Sequence, residues 1–331
     1  MVRLRDVAAH AGVSIRTVSN VVNDFQYVAP STRARVQASI DALGYRPNVA
    51  ARNLRRGRTG LLALVVPEID SPYFSDLAAR TVRIAEDDGW TVLIDQTDGD
   101  AGRERRLLHG ERSQLVDGVI FSPWSMSAEE LASRQDATPI VLLGEHAGAP
   151  PVDHVVIDNV GAAQEAVEHL LAGGRADIAA LGVQPALGNE TAHQRQLGYR
   201  RALSVAGQAW RADREAPVTS LHRAEGHRAM SELLATGDRP DAVFCFSDQL
   251  ALGALRAVVD AGLRVPEDIA LVGFDDIEDG RYSIPTLTTI APDKDRIAEL
   301  ALQVLRDRLA GDDSPARVLT APHRLVIRGS S

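Results

Sequence analysis

The sequence is expected to fold as an α/β protein: a small all-α head, then a body of two lobes, each a doubly wound parallel sheet. Three features of its 331 residues lead there. The first sixty residues hold short apolar patterns of helical period and no strand-like run. From Gly60 onward, apolar runs alternate with amphipathic stretches, as when strands and helices exchange in parallel sheets. Charge is also segregated. Residues 1–60 carry ten arginines and three aspartates, and the remainder carries 26 basic and 42 acidic side chains, within a net charge of −9.

A basic head on an acidic body is the footprint of a phosphate-contacting module, although charge alone also allows a solvated face without a partner. No apolar run approaches the roughly 20 residues that span a bilayer, and Met1–Asp6 lacks the apolar core of a signal peptide. With Cys245 as the single cysteine, neither an internal disulfide nor a thiolate metal cluster can form within the chain. A cytoplasmic, nucleoid-associated protein with no membrane partner is therefore expected. Lys294 is the sole lysine, so every other basic side chain is an arginine.

Leu4, Val7, Ala8 and Ala11 form one helical stripe, and Gly12-Val13 supplies a tight turn. Ser14 caps a second helix running to about Asn23. Thr17, Val18, Val21 and Val22 fall on its inner side, and Ile15, Arg16, Ser19, Asn20 and Asn23 fall on its outer side. Arginine reads guanine edges, asparagine reads adenine, and an apolar side chain meets the thymine methyl. Helix, glycine turn and helix with that outer face form a helix-turn-helix, whose second helix enters the major groove. Ser14 and Thr17, in its first turn, belong to the same DNA-facing set. A third helix, capped at Ser31 or Thr32 and stopped by Gly44, places Val36, Ile40 and Leu43 under the first two. A three-helix interaction module is the alternative. Beyond Pro47, Asn48 can cap a helix of about two turns ending near Leu54, which is marginal alone in water. Leu54, apolar among arginines, suits a minor-groove wedge; read without context, the segment is a basic linker.

Val7-Ala8, Ala11-Gly12-Val13-Ser14, Thr17-Val18-Ser19, Val21-Val22-Asn23, Gly44-Tyr45, Pro47-Asn48, Ala51 and Leu54 stand at spacings that closely resemble the LacI/GalR family. The resemblance implies a symmetric dimer on a palindromic operator, with paired short helices opening the minor groove. By position it assigns base reading to Ile15, Arg16 and Asn20, a further contact to Tyr27, and the wedge to Leu54 beside Asn48 and Ala51. Asn20 and Asn53 depart from residues common in the family, which leaves the operator sequence open.

In the body, strands are expected at 61–67, 90–95, 118–121, 139–143, 154–157, 178–182, 242–246 and 269–273, with helices at 75–88 and 101–114 among others. Ligands of such sheets sit beyond the carboxyl ends of the strands. That rule selects Tyr73 and Phe74 after the first strand, Asp95 after the second, Trp124 after the third, and Ser247 and Asp275 in the second lobe. Aromatic faces, hydroxyls and carboxylates there suit a polar ring compound.

Arg195-x-x-Gly198-Tyr199, the segment Val265–Asp276 and Pro285-x-Leu287-Thr288-Thr289-Ile290 extend the resemblance to the sensor domain. They imply a periplasmic-binding-protein-like body with crossovers near 158, 289 and 320. By position they also imply effector contact by Arg195 and Asp275, then Tyr73, Phe74, Thr191 and Ser247. The expected organisation is a helix-turn-helix domain over 1–46, a hinge helix and linker over 47–59, and an effector-binding and dimerisation domain over 60–331. Its first lobe takes about 60–158 and 290–320, and its second about 159–289 and 321–331. Relatives that tetramerise carry an extra leucine-rich helix after the last strand. This sequence ends soon after Leu325-Val326-Ile327, so a homodimer is expected.

A repressor released from a palindromic operator by a sugar-like effector is the expected function. An enzyme would need a phosphate-cradling loop or a catalytic constellation, and neither Gly-x-Gly-x-x-Gly after a strand nor a P-loop is present. Asp275 and Asp276 are adjacent and would point oppositely. The nine histidines form no His-Glu-x-x-His motif, so no catalytic residue, metal or cofactor is expected. A transport binding protein is opposed by the basic head and the missing signal peptide.

Overall fold

The computed structural model describes residues 2–23, 25–46, 58–110, 115–145, 152–185 and 189–331. The chain divides into two compact units, residues 1–59 and 60–331. The hinge segment with Asn48, Ala51 and Leu54 lies outside the described residues.

Among the described residues, three helices build the head: α1 (Leu4–Ala11), α2 (Ile15–Val22) and α3 (Pro30–Leu43). Gly12 ends α1 at φ 63°, a left-handed conformation that glycine adopts without steric cost. Ser14 caps α2, its Oγ accepting from the Thr17 N–H at 3.1 Å. Val7, Val18 and Val36, one from each helix, are fully buried against Ala8, Ala11 and Val21. Each such valine contributes roughly 1.5–3 kcal/mol of apolar burial. The third helix starts at Pro30 with Ala29 at its cap, without a side-chain cap from Ser31 or Thr32. Proline suits the first helical position because its φ is preset and its missing N–H would have had no partner.

The body contains two six-stranded sheets. The first has β1 (Leu61–Val66), β2 (Thr91–Gln96), β3 (Gly118–Phe121), β4 (Ile140–Leu143), β5 (Asp153–Ile157) and β11 (Val318–Ala321). The second has β6 (Ile178–Val183), β7 (Glu215–Pro217), β8 (Ala242–Cys245), β9 (Ala270–Phe274), β10 (Thr288–Pro292) and β12 (His323–Val326). Their orders are β11-β5-β4-β3-β1-β2 and β12-β10-β9-β8-β6-β7. All neighbours are parallel except β10 with β12. Both lobes thus repeat one doubly wound order, and in each the direction of winding reverses between its first and third strands.

The chain passes between lobes at Asp158, Asp293 and Pro322. Asp158 and Asp293 each cap the helix that follows, accepting from the N–H of Gly161 and Arg296. Two of the passages are joined directly, the Asp293 N–H donating to the Pro322 carbonyl at 2.9 Å. The expected boundary at 289–290 falls inside β10, which keeps its parallel register with β9 through Ile290 and its pairing with β12 through Pro292. The strand ends where Pro292 lacks a donor and Asp293 starts a helix. Helix 75–88 is instead Pro72–Asp87, with Pro72 in its first turn. Helix 101–114 is described as Ala101–Leu108, closing at Gly110 with φ 85°.

Apolar residues from both lobes, including Leu62, Leu64, Phe244 and Leu271, form the main core, and Val65, Leu108 and Phe121 anchor a smaller one on the other face of the first sheet. Gly198 lets helix Glu190–Val205 approach helix Asn159–Ala172 closely: a Cβ there would stand 2.3 Å from the Val160 carbonyl oxygen.

Candidate functional site

A cavity of about 430 Å³ opens between the lobes at the carboxyl ends of the strands. The switch points explain its position, because neighbouring loops there leave in opposite directions and open a crevice. Beyond β1 come Tyr73 and Phe74; beyond β3, Trp124; beyond β4, Glu145. The second lobe contributes Thr191, Arg195, His222, Ser247 and Asp275. Phe74 packs edge-on to Tyr73, with centroids 5.1 Å apart, and 6.4 Å from Trp124.

Arg195 is the most constrained group. Its Nε donates to Asn159 Oδ1 at 2.8 Å, its Nη1 donates to the Phe246 carbonyl, and its guanidinium lies 3.5 Å from the centre of the Phe274 ring. Its remaining nitrogen, Nη2, stands 4.0 Å from Asp275 Oδ1. Burial pulls the guanidinium below its ordinary range, and Asp275 and Glu145 act against that. Asp275 follows β9 in a backbone conformation rare for a side-chain-bearing residue, φ 114°, and Asp276 follows at φ 47°. Strain of this kind persists where the surroundings over-determine it and gathers at functional sites. Burial raises the Asp275 carboxyl to about 6, although Arg195 and Lys294 oppose the rise. The adjacent carboxylates do diverge: Asp275 lines the cavity, whereas Asp276 is held by Arg281 and Arg328.

Thr191 and His222 each reach across the cleft. Thr191 Oγ1 donates to Glu145 Oε2 at 2.8 Å, and Glu145 Oε1 accepts from the Ile157 N–H. His222 Nε2 lies 3.1 Å from Glu68 Oε2. The Trp124 loop is fixed from below by fully buried Glu104, which accepts from the N–H groups of Trp124 and Ser125 at 2.9 Å each. Burial raises the Glu104 carboxyl, and those two N–H donors pull it back.

In the head, the outer side of α2 leaves Ile15 53% exposed and Arg16 exposed, with Ser19 and Asn20 partly so. Tyr27, 80% exposed, packs edge-on to Phe25 at 5.5 Å. Asn23 closes the helix, its Nδ2 donating to the Ser19 carbonyl at 2.7 Å. Ser14 and Thr17 hydroxyls lie 2.9 Å apart at the helix start.

Residues 3–48 match the model of bacterial regulatory proteins of the lacI family, and residues 167–331 match a periplasmic binding protein-like domain. The transcriptional repressor PurR of Mannheimia succiniciproducens is 32% identical over all of this chain and 98% of its own. The chain belongs to the lacI family. A solved lac repressor dimer bound to operator and the anti-inducer ONPF is 28% identical, covers 99% of this chain and 98% of its own, and superposes with a TM-score of 0.85. A complex of the transcriptional regulator CelR with cellobiose is 30% identical over the whole of both chains, with a TM-score of 0.75.

This lacI-family chain is accordingly a transcriptional regulator with a helix-turn-helix DNA-binding head and a periplasmic-binding-protein-like effector domain. Among the described residues, no helix is long and apolar enough to cross a membrane. Of the residues expected to touch effector, Tyr73, Phe74, Trp124, Thr191, Arg195, Ser247 and Asp275 line the cavity. Asp95 does not. It is the last residue but one of β2, the edge strand one step beyond the switch point, and its carboxylate accepts from the neighbouring Gln96 N–H. Ser247 lines the cavity, but its hydroxyl donates to the Leu221 carbonyl and accepts from the Leu250 N–H, so it first serves the fold. Glu145 was reachable by the strand-end rule, which applies to β4 as it does to β1 and β3. Glu68, two residues beyond β1, was reachable in the same way, whereas His222 and Glu104 carry no comparable sequence signal.

Proposed function

We propose that this regulator is a repressor that grips a palindromic operator as a homodimer and lets go when an uncharged sugar fills the interlobe cleft. The observation that carries the reading is the pairing of Arg195 and Asp275 opposite Tyr73, Phe74 and Trp124. Polar groups can fix the hydroxyls of a ring while aromatic faces cover it. The volume suits a small polar ligand. Charge narrows the class. Glu68, Glu145, Glu190 and Asp275 line the cavity with Arg195 and His222, and Arg195 already serves Asn159 and Phe246. Phosphorylated ligands would meet net repulsion. Exposed apolar residues on both lobes, including Ile94 on β2 and Val259, Tyr282 and Ile284 in the second lobe, suit a twofold contact between copies. On the DNA side, Ile15, Arg16 and Asn20 read bases, with Ser14, Thr17, Ser19, Asn23 and Tyr27 around them. Asn48, Ala51 and Leu54 engage the minor groove.

The test is a thermal-shift panel on the full chain with cellobiose, other neutral mono- and disaccharides, and sugar phosphates. Binding at 100 times Kd stabilises by about 2.7 kcal/mol. Operator affinity is then measured by anisotropy on a duplex selected from random DNA, with and without the ligand found. A response to sugar phosphates alone would overturn the neutral class. Tighter operator binding with ligand would overturn release.

A further inference from the structure

The sole lysine occupies an unusual place. Lys294 begins helix Lys294–Leu309 directly after the Asp293 crossover, and its side chain is only 5% exposed. A cation in the first helical turn opposes the helix dipole, so helix formation does not account for it. Its Nζ donates to Asp76 Oδ2 in the first lobe at 2.9 Å and to the Asp276 carbonyl in the second at 3.4 Å. It also stands 5.7 Å from the Tyr73 ring centre. Two oxygen acceptors, one from each lobe, and a nearby ring face suit a compact ammonium, whereas a guanidinium presents a planar fork. The chain uses arginine at every other basic position and departs from that usage only here.

We propose that Lys294 is the positioning residue of the effector cleft: fixed at the crossover and bonded to Asp76, its ammonium holds the strained Asp275–Asp276 turn and so sets where the Asp275 carboxylate stands for effector. The proposal rests on reading the cleft as the effector site. Its geometric basis is the bond to the Asp276 carbonyl, which sits in the turn whose two residues both have positive φ. The groups facing Asp275 are Arg195, Lys294, Tyr73 and the buried Asp248. The two cations favour its charge, and Asp248 and the phenol respond to it in return.

Because the chain has one lysine, full-length protein labelled with ¹³C,¹⁵N-lysine should give a single side-chain resonance set. In ligand-free protein, the Lys294 Cε signal should follow a titration with a midpoint near 6, the value to which burial raises Asp275, and this titration should vanish in Asp275→Asn. A Cε signal flat through that range, or one unaltered in Asp275→Asn, would overturn the proposal. In a second arm, aspartate-labelled Lys294→Met should show the Asp275 carboxyl midpoint raised by about one pH unit, a tenfold loss of ionisation per unit. Lys294→Arg, which keeps the charge, should restore much of it. An unchanged midpoint in folded Lys294→Met also refutes the idea. Since every readout is taken without effector, failure to find a sugar would count against the function and not against this assignment.

Discussion

Asp275→Asn should make the ligand-free protein more stable while impairing it as a sensor. Burial raises this carboxyl from its ordinary 3.8 to about 6, so at neutral pH the fold holds an ionised group that it disfavours. A raised acid contributes stability fully below the unfolded value, and that contribution is lost as pH climbs through the folded one. A rise of this size corresponds to about 3 kcal/mol by linkage. Asparagine resembles the protonated side chain in shape and tolerates positive φ nearly as well, so the exchange adds little backbone strain at φ 114°. The unfolding transition of the 60–331 unit should therefore rise by several degrees at pH 7.5. Wild type and variant should converge as pH falls from about 6 toward 4, followed by calorimetry or circular dichroism across that range. Effector affinity should fall roughly 10- to 150-fold, because a hydrogen bond to a charged acceptor is worth about 1.5–3 kcal/mol. A variant less stable than wild type at pH 7.5, or a difference that does not change with pH, would refute the linkage.

Glu104→Ala should leave the partly buried N–H groups of Trp124 and Ser125 without their acceptor, costing about 1–3 kcal/mol in chemical denaturation and weakening effector binding at least several-fold. Gly198→Ala should destabilise by roughly 2 kcal/mol or more, since its methyl would press on the Val160 carbonyl; an unshifted melting curve would show that the two helices part freely. Arg16→Ala should weaken operator binding by about 1–3 kcal/mol and relax preference at one base pair, measured by anisotropy on operator and single-substituted duplexes. Uniform weakening on every duplex would make Arg16 a phosphate contact instead.

Legibility in the sequence followed the physics of each element. Central strands such as β1 and β8 are buried on both faces and read as unbroken apolar runs. The three residues of β7, Glu215–Pro217, and the partly exposed β11 have no such run, and they pair only because a neighbouring strand end is open. The helices at Pro30 and Pro72 start two or three residues earlier than expected, because each proline, with its φ preset, serves as a first helical residue. Strand-end reasoning placed Tyr73, Phe74 and Trp124 in the cleft but could not reject Asp95, because that needs the lateral order of strands. Glu104 and Lys294 act on residues about 20 positions away or across a lobe boundary, and no local pattern announces such partners.

The cleft and the residues directly behind it concentrate features that oppose folding: two aspartates at positive φ, a carboxyl raised to about 6, and Asp248, fully buried and pushed well above the ordinary carboxylate range by burial and by Asp275. The buried apolar cores of the two lobes must offset them, the usual relation between a working site and its scaffold. What the site gains is preorganisation. Arg195 is fixed by Asn159, Phe246 and Phe274 before any ligand arrives, so little side-chain freedom is lost on binding. Ligand binding biases a conformational equilibrium only through unequal affinity for its states. A ligand held by the second lobe alone would bind and change nothing, because Arg195 and Asp275 move together. One that also stacks on the first-lobe aromatics gains energy only at a particular separation of the lobes. Shifting a population from 1:99 to 99:1 takes about 5.5 kcal/mol. Two charge-assisted hydrogen bonds, about 1.5–3 kcal/mol each, and an aromatic contact of about 1 kcal/mol come close to that figure. Under the proposed release mechanism, control depends on the two faces being on different lobes, and affinity measured on either face alone would not reveal it.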